Sequence, residues 1–131
     1  LWIKAPDPNR KLYPDGFTNR VVLSGSSYVP TRHVSGRLLG FEMGTLEFES
    51  VTGLTLVELV RWGTNNVLTT FSGRPLLVRM TRKTGLYTGQ WTPPGGSAIA
   101  FRGVLHQSGD FASGYFISSN ATGRAWIHGT Q

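Results

Sequence analysis

This sequence predicts an all-β fold: an antiparallel meander closing into a small barrel or sandwich of about seven to nine strands. Three observations carry that expectation. Glycine makes up 17 of the 131 residues and charged residues only 15%, whereas long helices need many Ala, Glu, Lys and Leu on a polar face. Short apolar or alternating runs recur, each bounded by turn residues. Within those runs the apolar side chains fall on one face, the pattern of a sheet with one dry and one wet side.

Taken in order, residues 1–20 form an extended lead, because Pro6, Pro8 and Pro14 forbid a helix and bias their predecessors to extended backbone. Asp15-Gly16 is a turn signal. Strands follow at Val21–Val29, Leu38–Ser50, Leu54–Trp62, Asn66–Phe71, Leu76–Arg82, Leu86–Thr92, Ala98–Gln107, Ala112–Ser118 and Arg124–His128. Turns rich in Gly, Pro, Asn and Asp separate most of them, such as Gly63-Thr64-Asn65 and Pro93-Pro94-Gly95-Gly96. Leu54–Trp62 has no decisive period, and its flanking glycines favour a strand. Leu76, Val78 and Met80 share a face, as do Ile99, Phe101, Gly103 and Leu105. The tight connections of the second half make each strand pair with the next. Gly89, Gly103 and Gly114 sit mid-strand beside large rings, where a bent sheet needs room.

The length fits one domain over 1–131. Without cysteine there is no disulfide and no thiolate site. No apolar run approaches the ~18 residues of a membrane-spanning helix. Pro6, Asp7 and Pro8 interrupt the opening apolar stretch, so it does not read as a signal peptide. The net charge of +6 favours anionic partners in a general way.

The run TGLYTGQWTPPGG, then FRGVLHQ, then ASGYFISSNATGRAWI resembles an all-β module found, often in tandem near the carboxyl end, in large secreted planctomycete and verrucomicrobial proteins. Thr84, Gly85, Tyr87, Gly89 and Trp91 carry the first part of that pattern. Phe101, Gly103, Val104 and Gln107 carry the second, and Gly114, Tyr115 and Phe116 the third. Leu12-Tyr13-Pro14-Asp15-Gly16-Phe17 after the Trp-bearing start is similar too. The middle, from about Arg32 to Gly73, has no counterpart, and Thr122 stands before Gly123 where the pattern has Ser. The resemblance implies a secreted, modular, structural protein of a bacterial surface. It supplies no catalytic residues.

Chemistry finds little purchase in the residues themselves. His33, His106 and His128 lack metal-ligand spacing. No nucleophile elbow, phosphate loop or dinucleotide fingerprint occurs. Ser24-Gly25-Ser26-Ser27 reads as a turn with no activated hydroxyl. Glu47 and Glu49 alternate on a strand and so share a face, which reads as a solvated face paired with Arg on the neighbouring strand before it reads as a glycosidase pair. The chain is therefore read as non-catalytic, with no cofactor and no metal. Two binding alternatives stay open. A carbohydrate-binding module would use exposed rings, with Trp2 and Trp62 the rings to examine. A single-stranded nucleic-acid-binding barrel would use Arg74, Arg79, Arg82 and Lys83 beside Tyr87 and Trp91. Asn120-Ala121-Thr122 matches the glycosylation triplet but reads as a turn before it reads as a modification site.

The two ends match. Leu1-Trp2-Ile3-Lys4 and Ala125-Trp126-Ile127-His128 spell the same short strand. In one arrangement the opening strand pairs inside its own domain, beside the last strand, and closes the barrel. In the other it completes the sheet of a neighbouring copy, with the Pro-containing stretch as the arm, and copies joined head to tail form a filament. These eight residues are the expected self-association surface of an extracellular assembly or adhesion module, whose partner is itself or a tandem copy.

Overall fold

Eight strands follow one another around a nearly closed antiparallel barrel in chain order. The computed structural model describes residues 1–20, 22–30, 36–119 and 121–130. The strands are β1 Trp2–Lys4, β2 Phe17–Asn19, β3 Met43–Ser50, β4 Thr55–Trp62, β5 Leu68–Thr70, β6 Leu76–Thr81, β7 Leu86–Trp91, β8 Ile99–His106, β9 Phe111–Ile117 and β10 Thr122–Gly129. The large sheet runs β5-β4-β3-β10-β9-β8-β7-β6. Followed around the barrel, this is β3 to β10 in sequence. The β3–β10 ladder closes the circle, and a seam lies between β5 and β6, which no ladder joins.

The inward positions are full. Phe48 sits at the centre, stacked on Trp91 at 5.4 Å and meeting the edges of Phe101 and Phe116 at 5.2 and 5.5 Å. Leu46, Val60, Ile127, Ala112 and Leu105 fill the next layer. The three mid-strand glycines face this interior. The Phe101 ring lies where a Gly89 side chain would be, and Gly103 and Gly114 stand opposite each other with the β8 and β9 main chains in the way of any Cβ. Phe48→Leu should cost about 2 kcal/mol of unfolding free energy in urea, because the aliphatic side chain leaves part of this ring cluster empty.

Four expectations are corrected. Residues 22–29 form no strand, and Val21 lies outside the described residues. Val22 and Leu23 are 88% and 90% exposed, so their apolar run has no sheet to join. The strand expected from Leu38 begins only at Met43. Leu38 and Leu39 are consecutive and both fully buried, which an alternating strand cannot achieve. They form part of a plug across the barrel end. Asn66 and Gln107 hold that plug with side chains that mimic main-chain pairing. Leu38 N–H and Trp62 Nε1–H donate to Asn66 Oδ1 at 2.7 and 3.0 Å, and Asn66 Nδ2 donates to the Gly36 carbonyl at 2.9 Å. Val29 N–H donates to Gln107 Oε1 at 2.7 Å, while Gln107 Nε2 donates to the carbonyls of Val29 and Leu38 at 2.8 and 3.0 Å. The strand expected over Asn66–Phe71 shrinks to Leu68–Thr70, because Asn66 is diverted to this clamp.

The fourth correction concerns the ends. The opening strand does not lie beside the last one. Trp2–Lys4 pairs with Phe17–Asn19 in a separate two-stranded sheet, packed by Trp2 and Tyr13 against Phe17 at 5.0 and 5.2 Å. Tyr13 Oη and Thr122 Oγ1 share a hydrogen bond that ties this arm to the start of β10. β10 itself is central, with β3 and β9 on its two sides. It has no free edge to offer, and the position beside it belongs to β3.

Candidate functional site: the outer wall of the barrel

With the interior largely occupied by apolar groups, most chemistry-bearing groups lie outside; Glu58, Tyr87 and Trp91 are buried on inward faces. Tyr87 Oη and Trp91 Nε1 are buried inside without a hydrogen-bond partner among the described protein atoms. Burial pushes the Tyr87 hydroxyl above its ordinary pKa, so it stays neutral. Glu58, a buried carboxylate on β4, accepts from Ser72 Oγ at 2.9 Å. Burial also raises the Tyr28 hydroxyl, opposed by nearby Arg82; it donates to the Arg82 carbonyl at 2.6 Å.

On the outside, strand register sets side chains in lines across the sheet. One line runs His106–Phe111–His128–Thr45 across β8, β9, β10 and β3. The next runs Val104–Ser113–Trp126–Glu47 along the same strands. Hydrogen bonds cross between these two lines. Ser113 Oγ lies 2.9 Å from His106 Nε2, and His128 Nε2 lies 3.0 Å from Glu47 Oε1. Phe111 stacks on His106 at 4.6 Å and meets the Trp126 edge at 5.8 Å. Several of these side chains, together with Phe41, Asp110 and Thr130, line an open concavity of about 620 Å³. The His106 ring is buried under Phe111, and no carboxylate pairs with it among the described residues. The Ser113–His106 pair therefore lacks the third group that orients and charges a catalytic imidazole. No cluster of three or more metal-ligating side chains occurs among the described residues.

The third line is basic. Arg79 on β6 is level with Thr88 on β7, Arg102 on β8, Tyr115 on β9 and Arg124 on β10. It ends at Glu49 on β3, which holds Arg124 Nη2 at 3.1 Å. All five side chains from Arg79 to Arg124 are exposed. Arg102 lies 6.0 Å from the Tyr115 ring centre and Arg124 lies 4.3 Å from that of Trp126. The outward positions of β6 to β9 hold no acidic residue.

The residues expected to bind something are dispersed by this geometry. Leu1, Trp2 and Ile3 are exposed on the arm, 82%, 60% and 63%, and Lys4 donates to the Tyr13 carbonyl at 2.8 Å. Ala125 and Ile127 are buried inside the barrel, while Trp126 and His128 face outward. Trp62 is fully buried, so it cannot serve as a surface platform. Of the basic set, only Arg79 joins the outer line. Arg74 precedes β6, whereas Arg82 and Lys83 follow it, so the strand separates them. Tyr87 and Trp91 are core. Glu49 is exposed and paired across to Arg124 on β10, as expected, whereas Glu47 is half-buried and faces His128 instead of an arginine. His33 and Asn120 lie outside the described residues.

Sequence reasoning misses Arg102, Tyr115 and Arg124 because the basic residues are spread along the chain. The acids are not. Residues 1–58 carry six basic and six acidic residues, and residues 59–131 seven basic and one acidic. The whole positive surplus belongs to the second part, a signal that the distribution of charge along the chain carries by itself.

Fold and surface together define an all-β, barrel-shaped module with a solid interior and a basic outer wall. No protein-family model, curated protein or solved structure matches the chain.

Proposed function

We propose that the chain is a non-catalytic structural module of an extracellular bacterial assembly, joined to further copies of itself through its N-terminal arm. The placement of β1 carries this reading. Among the described residues the strand pairs with β2 alone, and it keeps Trp2 and Ile3 mostly exposed. Apolar residues held out in an ordered strand are a surface for another chain.

The barrel provides a complementary feature at its seam. Thr92 N–H donates to the Pro75 carbonyl at 3.2 Å. Antiparallel pairing alternates, so residues 77, 79 and 81 turn their main-chain groups to β7, and those of Leu76, Val78 and Met80 turn to the seam. The three-residue β5 lies close to part of this edge without pairing to it, and the stretch of β6 beyond it is the part that accepts an added strand. The arm keeps its own partner β2 while its second edge remains available, so docking needs no unfolding of the donor. The filled interior supports a non-catalytic role, and the resemblance to secreted repeat modules supports an extracellular setting.

Light scattering tests the proposal. The full chain should form species whose mass rises with concentration. A chain lacking residues 1–8 should be monomeric, with an unchanged β-sheet circular-dichroism spectrum, since β1 adds nothing to the large sheet. A full chain that remains monomeric, or a shortened one that assembles equally well, overturns it.

A further inference from the structure

The geometry points to the Arg79–Thr88–Arg102–Tyr115–Arg124 line as a binding site for an acidic polysaccharide, lying across the strands of the outer wall. This inference is independent of self-assembly by the arm.

Neighbouring strands are ~4.8 Å apart, so arginines on alternate strands stand roughly 10 Å apart at the backbone. Between them stand two hydroxyl-bearing side chains, Thr88 and Tyr115. Guanidinium and hydroxyl therefore alternate: Arg, Thr, Arg, Tyr, Arg. An extended sugar polymer that turns a carboxylate or sulfate to one side on every second residue carries the complementary alternation of charge and neutral hydroxyl. Guanidinium groups suit both anions, because their N–H fork matches two oxygens at once.

Charge fixes the direction and the extent. No acid interrupts the outward face of β6 to β9, and the line stops where Glu49 and Glu47 begin on β3. At Arg124 the Glu49 carboxylate takes one terminal nitrogen and the Trp126 ring takes the face of the guanidinium, which holds that group in place. Arg79 and Arg102 form no ion pair among the described residues, so their donors remain for a ligand.

The same features count against nucleic acid. Single strands are held largely by bases stacking on open aromatic faces. The one ring within the line, Tyr115, already has Arg102 beside it; of the outward rings in the neighbouring lines, Trp126 has Arg124 over its face and Phe111 is stacked on His106, while Tyr87 and Trp91 are inside.

The test is titration of the full chain with eight-sugar fragments of chondroitin sulfate and of polygalacturonate. Dextran serves as the neutral control and oligo-dT of matched charge as the rival polyanion. At least one acidic sugar should bind, with affinity falling steeply as salt rises. Arg79→Gln, Arg102→Gln and Arg124→Gln should each weaken it about fivefold. Arg20→Gln removes the same charge from an exposed residue outside the strands of the wall and should change it less than about twofold. Because Arg79 lies outside any ion pair, its variant separates loss of ligand contact from loss of fold, and an unchanged melting curve verifies that. Three results overturn the site: no binding of either acidic sugar, equal weakening by Arg20→Gln and Arg102→Gln, or oligo-dT binding as tightly as the sugars.

Discussion

Asn66→Ala should lower the unfolding free energy by about 4 kcal/mol in urea titrations. The magnitude follows from what the side chain satisfies. Its Oδ1 accepts from the Leu38 main chain and from the indole of Trp62, and both of those residues are fully buried. Removing the acceptor strands two buried donors, each costing about 1–3 kcal/mol. Asn66 also has φ of +61°, where alanine pays about 1 kcal/mol and asparagine much less. Asn66→Asp separates these contributions. It keeps the acceptor, and when protonated its O–H can replace the bond to the Gly36 carbonyl, whereas the ionised form would bury a charge against that carbonyl; it should therefore lose less than half as much at about pH 3 and more at about pH 7. If Asn66→Ala loses under about 1 kcal/mol, the plug is not held as described.

Gly114→Ala is expected to cost about 3 kcal/mol or more, toward the upper end of overpacking effects. An added Cβ would run into the Arg102 carbonyl and the Gly103 Cα across the β8–β9 ladder. These are main-chain atoms of a paired strand, so no side chain can swing aside. Relief requires the two strands to part and the ladder to weaken. Gly25→Ala provides the contrast. Nothing lies within 4 Å of its added Cβ, and the change should stay within about 0.5 kcal/mol. Chemical denaturation of both variants checks the pair, and equal losses would mean that strand spacing at Gly114 is not the cause.

Much of the second half is legible in the sequence because its information is local. Leu76, Val78 and Met80 alternate cleanly, the turn at Lys83-Thr84-Gly85 is short, and the next strand has only one place to go. The same holds through Gly103 and Gly114, whose bulky neighbours signal a crowded inner face. Residues 22–30 and 36–42 resist the same reading because they owe their shape to distant partners. Leu38 and Leu39 are placed by Asn66 and Gln107, and no periodicity in the segment itself encodes that. The matching ends mislead for a related reason. Two similar tetrapeptides both favour strands, but pairing is decided by register and cover over eight residues, and β3 outcompetes a three-residue arm for the place beside β10. The arginine line is hidden in another way. Arg79, Arg102 and Arg124 are 23 and 22 residues apart, too far for any local period to join them, and only the registers of four ladders bring them level.

The circular order of the barrel also bears on how it forms. Every ladder of the large sheet but one joins strands that are neighbours in the chain, and such hairpins close quickly with little loss of chain entropy. The exception is β3 against β10, which brings Ser50 and Gly123 together and bears the largest loop-closure entropy. Among the described residues, two side-chain pairs made by a carboxylate join strands of the sheet on this wall, the Glu49–Arg124 salt bridge and the Glu47–His128 contact at 3.0 Å. Both span that ladder, so the outer wall carries these latches at the place where the folding chain must find its most distant partner.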